Sequence, residues 1–141
     1  MLRVVLDTDV IVAGFISPSG ASRQLLLRAL DQNFALMLST PLLLEYESVL
    51  TRPRNLEQAK ATLAEVTEIL DALAGICTPV LFDYRWRPSG AHADDELVLE
   101  TAINGQAEMI ATFNLKHMQS AATRFGVQAQ LPGPLLRRLS S

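Results

Sequence analysis

The sequence predicts an α/β fold, a three-layer α/β/α sandwich around a central, mostly parallel sheet of four to five strands, and three observations carry that prediction. Short apolar runs rich in β-branched residues recur along the chain, uninterrupted rather than alternating, as strands buried on both faces of a parallel sheet require. Between them lie segments whose apolar residues repeat at three and four, the period of a one-sided helix. Strand and helix alternate throughout, which makes right-handed crossovers the natural connection. Acids collect at the strand–helix junctions, the edge where open α/β sheets build their sites.

The 141 residues make a single domain, 1–141, long enough to bury about two thirds of its unfolded surface. Hydrophobic residues are 49% of the chain, enough for a sizeable core. One cysteine, Cys77, excludes an internal disulfide framework and suits a reducing compartment. No apolar run reaches the ~18 residues of a membrane span, so the chain reads as soluble and cytoplasmic, with no membrane partner. A net charge of −3 argues against coating nucleic acid by bulk electrostatics. Any polyanionic substrate would need a local cation to offset the acids.

The first strand, Val4–Leu6, stands in the stretch L-R-V-V-L-D-T-D-V-I-V-A-G and ends in Asp7 and Asp9, where the backbone turns. Asp at such a point can simply cap a turn through its own backbone. Pro18 and Gly20 then break regular structure, and Ser22 can cap a helix to about Asp31 with Leu25, Leu26 and Ala29 inward. Phe34–Leu38 is the second strand. Thr40 can cap the next helix with Pro41 at its first position, and that helix stops at Arg52-Pro53. Glu45 and Glu47 flank opposite edges of its apolar stripe, and helical geometry does not choose between them.

A long helix is expected from Asn55, with Gln58 in a capping-box-like place and Leu56, Ala59, Leu63, Val66, Leu70 and Leu73 on one side, ending at Gly75. Thr78–Phe82 is the third strand. The loop from Asp83 to Ala93 holds Arg85, Trp86 and Arg87, a set that can contact RNA by stacking a base on Trp while Arg meets phosphate. His92, in the same loop, has no metal-ligand spacing around it. Asp94 can cap the helix that follows. Asp95 heads its buried stripe, with Val98, Leu99 and Ala102 at its i+3, i+4 and i+7 places, while Glu96 and Glu100 turn away. Met109–Thr112 is the fourth strand, and Asn114 is placed either to cap the next helix or to join a site. Val127–Leu131 reads as an edge strand and Leu135–Leu139 as a last short helix.

Asp7 and Glu45, with Asn114 closing the fourth strand, fall at junctions on the carboxyl edge of the sheet, and a loop must bring the start of the Asp95 helix round to join them. Two carboxylates ~4 Å apart repel by ~4 kcal/mol at an effective dielectric near 20, so converging acids call for a counter-charge. Mg2+ or Mn2+ fits, as a hard ion with oxygen ligands. Such an ion polarises a phosphoryl oxygen and activates water for in-line attack. No His/Cys set suits zinc and no G-x-x-x-x-G-K loop is present, which leaves phosphodiester hydrolysis ahead. A D-x-D after a buried strand also fits a haloacid-dehalogenase-like phosphatase, but that reading expects a Thr two residues beyond the second Asp, where Ile11 stands.

Four blocks, V-V-L-D-T-D-V-I-V-A-G-F, S-T-P-L-L-L-E-Y-E-S-V-L-T-R-P, D-D-E-L-V-L-E-T-A and G-Q-A-E-M-I-A-T-F-N, together resemble the PIN domain family, nearest its VapC-like toxin branch. The resemblance implies a metal-dependent endoribonuclease, the toxin of a toxin–antitoxin pair, whose catalytic and metal-binding acids match Asp7, Glu45 and Asp95, with Thr112 nearby. It favours Glu45 over Glu47 and Asp95 over Asp94, and it implies a homodimer silenced by a cognate antitoxin. Two positions depart from the usual pattern: Asp9 stands where many members carry Asn, and Asn114 where many carry a fourth Asp. The second departure motivates an alternative, a weakened module that binds RNA or protein as a scaffold.

Overall fold

The computed structural model describes residues 1–82 and 93–140, the side chains of residues 93–95 excepted. Arg85, Trp86, Arg87 and His92 therefore lie outside the described residues. In chain order the elements are β1 (Arg3–Leu6), α1 (Thr8–Ile16), α2 (Ala21–Leu30), β2 (Ala35–Leu38), α3 (Thr40–Leu50), α4 (Pro53–Ala59), α5 (Leu63–Ile76), β3 (Thr78–Pro79), α6 (Ala93–Asn104), β4 (Met109–Ala111), α7 (Leu115–Thr123), β5 (Gln128–Gln130) and α8 (Pro132–Ser140). The five strands form one sheet in the order β3-β2-β1-β4-β5, and every pairing is parallel. With helices packed against it, this is the expected α/β/α sandwich. No single helix among the described residues is long and apolar enough to cross a membrane.

β1 is the centre of the sheet because its residues suit no other place. Val4, Val5 and Leu6 are wholly buried, as are Met109, Ile110 and Ala111 on β4 beside it. The chain builds outward from β1 through β2 and β3 on one side, then through β4 and β5 on the other. The order therefore reverses between β1 and β4. That switch point is where an open parallel sheet leaves a crevice at its carboxyl edge. Leu6 pairs with Ala111, and the Asp7 N–H donates to the Ala111 carbonyl at 2.9 Å, so Asp7 and Thr112 emerge side by side there.

Several local expectations need correction. The apolar stretch after Asp7, to which the sequence assigned no element, is helix. Its β-branched residues mimic a strand, but burial of Val10, Ile11, Gly14 and Phe15 overrides that propensity. Arg23 closes the end of α1 by donating to the carbonyls of Gly14 and Phe15. Gly20 rather than Ser22 precedes α2, and Ser39 rather than Thr40 caps α3, its hydroxyl accepting from the Leu42 N–H at 3.3 Å.

The long helix expected from Asn55 is two helices. Lys60 adopts a left-handed conformation (φ 53°) that ends α4, and the capping box is Thr62/Glu65 at the start of α5, not Asn55/Gln58. The apolar period runs through the break, but Leu63, as the first residue of α5, is 59% exposed. β3 is only Thr78–Pro79, an edge strand in which Pro79 turns its missing N–H away from β2, while the Val80 N–H still donates to the Leu38 carbonyl at 3.0 Å. Glu100, expected to turn away from the core, is buried: α6 packs on the sheet and also against α3 and α7, which covers more than one of its faces.

Gly14 marks the closest approach of α1 to α2. A Cβ there would stand 2.5 Å from the Leu26 side chain and 3.2 Å from the Ser22 carbonyl. Gly14→Val is accordingly expected to destabilise the fold by about 1–3 kcal/mol in urea denaturation. Gly75→Ala in α5, where an added Cβ meets nothing within 4 Å, should be neutral or stabilising by up to about 1 kcal/mol.

Candidate active site

Asp7 is the N-cap of α1 and only 6% exposed. One carboxylate oxygen, Oδ1, accepts from the Thr8 N–H at 2.7 Å; the other, Oδ2, accepts from the Thr112 hydroxyl at 2.7 Å. Thr112, itself wholly buried, in turn accepts the Asn114 N–H at 2.9 Å. The end of β4 therefore fixes the carboxylate at the end of β1. Asn114 caps α7 by position, its carbonyl accepting the Met118 N–H, but its side chain makes no capping bond. Asp9, in the first turn of α1, accepts the Phe113 N–H at 3.2 Å and thereby ties that turn to the same segment.

Glu45 reaches this point from α3. Its Oε2 accepts from the Thr8 hydroxyl at 2.6 Å, so Thr8 joins the two acids: its N–H donates to Asp7 and its O–H to Glu45. Glu45 is half-buried, whereas Glu47 is exposed. Beneath them the Tyr46 hydroxyl, wholly buried, donates to the Leu6 carbonyl. Burial first, then the charges of Asp7 and Glu45, push the Tyr46 hydroxyl well above its ordinary value of about 10, so it stays a neutral donor. Tyr46→Phe should cost about 1–3 kcal/mol of stability in thermal or urea melts, because the Leu6 carbonyl is left buried without its partner.

These groups line a cleft of about 370 Å³ with Asp7, Asp9, Glu45, Ser48, Arg52 and Asn114 on its walls. Thr8, Ser48, Tyr46 and Arg52 went unremarked as site residues in the sequence. For Ser48 and Arg52 the signal was present: they stand three and seven residues after Glu45, on the same face of α3 and its end. Arg52 is exposed and, among the described residues, is the cation that lines this cleft beside its three acids.

Asp95 enters by topology. α6 ends at Asn104, shortly before β4 begins at Met109, and its 12 residues span about 18 Å. Its first turn, with Asp94 and Asp95, therefore begins at the carboxyl edge of the sheet, the edge that carries Asp7. The direction of α6 itself, rather than the loop that the sequence called for, sets its start at that edge. Farther along α6, the buried Thr101 hydroxyl meets Ser39 Oγ at 2.7 Å, which pins the helix against the start of α3.

The donors of the cleft, carboxylates with an amide and hydroxyls, are all oxygen, the set that suits a hard divalent cation and neither zinc nor copper. Among the described residues, no group of three or more His, Cys, Asp or Glu is gathered closely enough to hold a metal ion. Asp7 and Glu45 are the two acids that Thr8 joins there, and the side chains of Asp94 and Asp95 lie outside the described residues.

A family model described as PIN domain matches residues 3–116, from β1 into the first turn of α7, and so includes every element that contributes to the cleft. Comparison with curated proteins gave no match. With a match over most of its length, and with the all-parallel sheet and its acidic carboxyl edge in place, the chain belongs to the PIN domain family, whose members are generally nucleases.

Proposed function

We propose that the protein is a metal-dependent endoribonuclease that hydrolyses RNA phosphodiester bonds, with Asp7, Glu45 and Asp95 as the acids that hold Mg2+ or Mn2+. One observation carries the reading: a buried carboxylate, Asp7, is fixed by Thr112 and joined to Glu45 through Thr8 at the sheet's switch point. When bound, the cation supplies Lewis-acid charge to the phosphoryl group and to the attacking water. The chain supplies positioning. Thr8 and Thr112 hold both carboxylates in one orientation, which keeps the cost of reorganisation low when charge develops on the phosphoryl and leaving oxygens. Arg52, on the wall of the cleft, offers a guanidinium to a phosphate oxygen, and such a charge-assisted bond offsets the repulsion between acids and polyanion. Asn114 offers an amide in place of an acid and can orient water without adding charge.

The likeness of the four sequence blocks to VapC-like toxins supports a further step: the nuclease is the toxin of a toxin–antitoxin pair, acts as a homodimer and is silenced by a cognate antitoxin. Cleavage of a panel of single-stranded and structured RNAs, with DNA as comparison, tests the catalytic reading. Cutting of RNA in Mg2+ or Mn2+ that EDTA abolishes is expected. A well-folded wild type that cuts no RNA with either ion would favour the scaffold alternative, with Asn114 as the missing acid.

A further inference from the structure

Beside the acidic cleft lies a second concavity of different character. It measures about 550 Å³, within the ~300–1,000 Å³ range of small-ligand clefts, and its walls are almost wholly apolar. Val12, Ala13 and Ile16 on one face of α1 form one wall, and Val49 of α3 forms the other. Thr8, Asp9 and Val49 line both cavities, so the groove is the continuation of the cleft. At its far end Asn55 donates its side-chain N–H to the Val49 carbonyl at 2.8 Å, which fixes α4 on α3 and leaves the amide oxygen as the polar group Asn55 can offer.

We propose that this groove holds one unstacked nucleobase of a single-stranded RNA, next to the phosphate that lies in the cleft. The inference rests on the nuclease reading for the place of that phosphate. Each nucleotide of a strand brings one backbone charge and one flat ring, so a strand entering the cleft needs a cation beside the acids and an apolar surface one step away. Arg52 supplies the first and the groove the second, with Val49 between them. Asn55 adds an acceptor for an amino or imino N–H on the base edge. A base can enter only after leaving its stack, an exchange that costs least in single strands and loops.

The test uses the full chain and a short fluorescein-labelled single-stranded RNA, with copies that carry one abasic ribose at successive positions. Binding is measured by anisotropy in Ca2+ and in EDTA, and cleavage in Mg2+ and Mn2+. An abasic site at one position should weaken binding about tenfold, the loss expected when one ring no longer buries its face on an apolar wall. Val12→Trp and Ile16→Trp, which fill the groove, should each show the same loss on intact RNA and no further loss on the abasic strand. The abasic arm leaves the protein unchanged, so it stands even if a variant melts early. The proposal is overturned if no single strand binds, if every abasic copy binds like the intact one, or if both Trp variants fold normally and bind intact RNA as wild type does. It is also overturned if those variants instead dissociate a dimer, which would make a second copy the occupant. Metal-dependent cutting that ignores abasic sites would remove the base site and keep the nuclease. Base-dependent binding without cutting would keep the base site and remove the nuclease.

Discussion

Asp7→Asn is expected to slow RNA cleavage about a thousandfold, the equivalent of roughly 4 kcal/mol in the barrier, within the several kcal/mol that metal-assisted charge stabilisation supplies. The substitution removes a charge and little else. Asn keeps an oxygen that can accept the Thr8 N–H, so the cap of α1 survives. Its amide nitrogen replaces the oxygen that accepts from Thr112, and that hydroxyl must rotate. The loss of repulsion toward Glu45 acts in the opposite direction, so stability should change by no more than about 1–2 kcal/mol. Single-turnover cleavage together with a circular-dichroism melt separates the two effects. Loss of activity in parallel with collapse of the melt would show that Asp7 acts as a structural cap.

Thr112→Val is expected to produce the largest combined effect on fold and activity. The two side chains have similar shape, so no cavity opens, but two hydrogen bonds are lost: the one the Thr112 hydroxyl donates to the buried Asp7 Oδ2 and the one it accepts from the half-buried Asn114 N–H. Losing both bonds should cost about 2–4 kcal/mol of stability, the larger share from the charge-assisted bond to the carboxylate. Cleavage should fall by about ten- to a hundredfold as the carboxylate loses its fixed orientation. Thr112→Ser keeps the hydroxyl and should recover most of both. Urea denaturation and initial rates for the three proteins decide the matter. A Val variant as stable and as active as the Ser variant would mean that Thr112 only fills space.

What the sequence could show followed physical range. Uninterrupted β-branched runs mark strands buried on both faces whatever their neighbours, so β1, β2 and β4 were legible, with Asp7 at the carboxyl edge of β1. α1 was not, because V-I-V-A-G-F-I has strand-like propensity and becomes helix through packing on the sheet and on α2, a long-range cause. The break at Lys60 was hidden because the apolar period continues across it in phase. In the site, Asp7 was legible from its place after a buried strand. Glu45 and Glu47 were indistinguishable by periodicity and differ in the fold through a hydrogen bond to Thr8, a contact between residues 37 apart in the chain. Thr8 and Tyr46 lacked any local signal, since both act through partners on other elements.

Titration of the full chain with Mn2+ by calorimetry, on wild type, Asp7→Asn, Asp95→Asn and Glu47→Gln, is the most direct test that acids from three elements hold one divalent cation. Binding at a single site in wild type is predicted, unchanged in Glu47→Gln and weakened about tenfold or more in each Asp variant, the loss typical when a metal site is damaged. Equal affinity across all four proteins, or no binding by well-folded wild type, would contradict it.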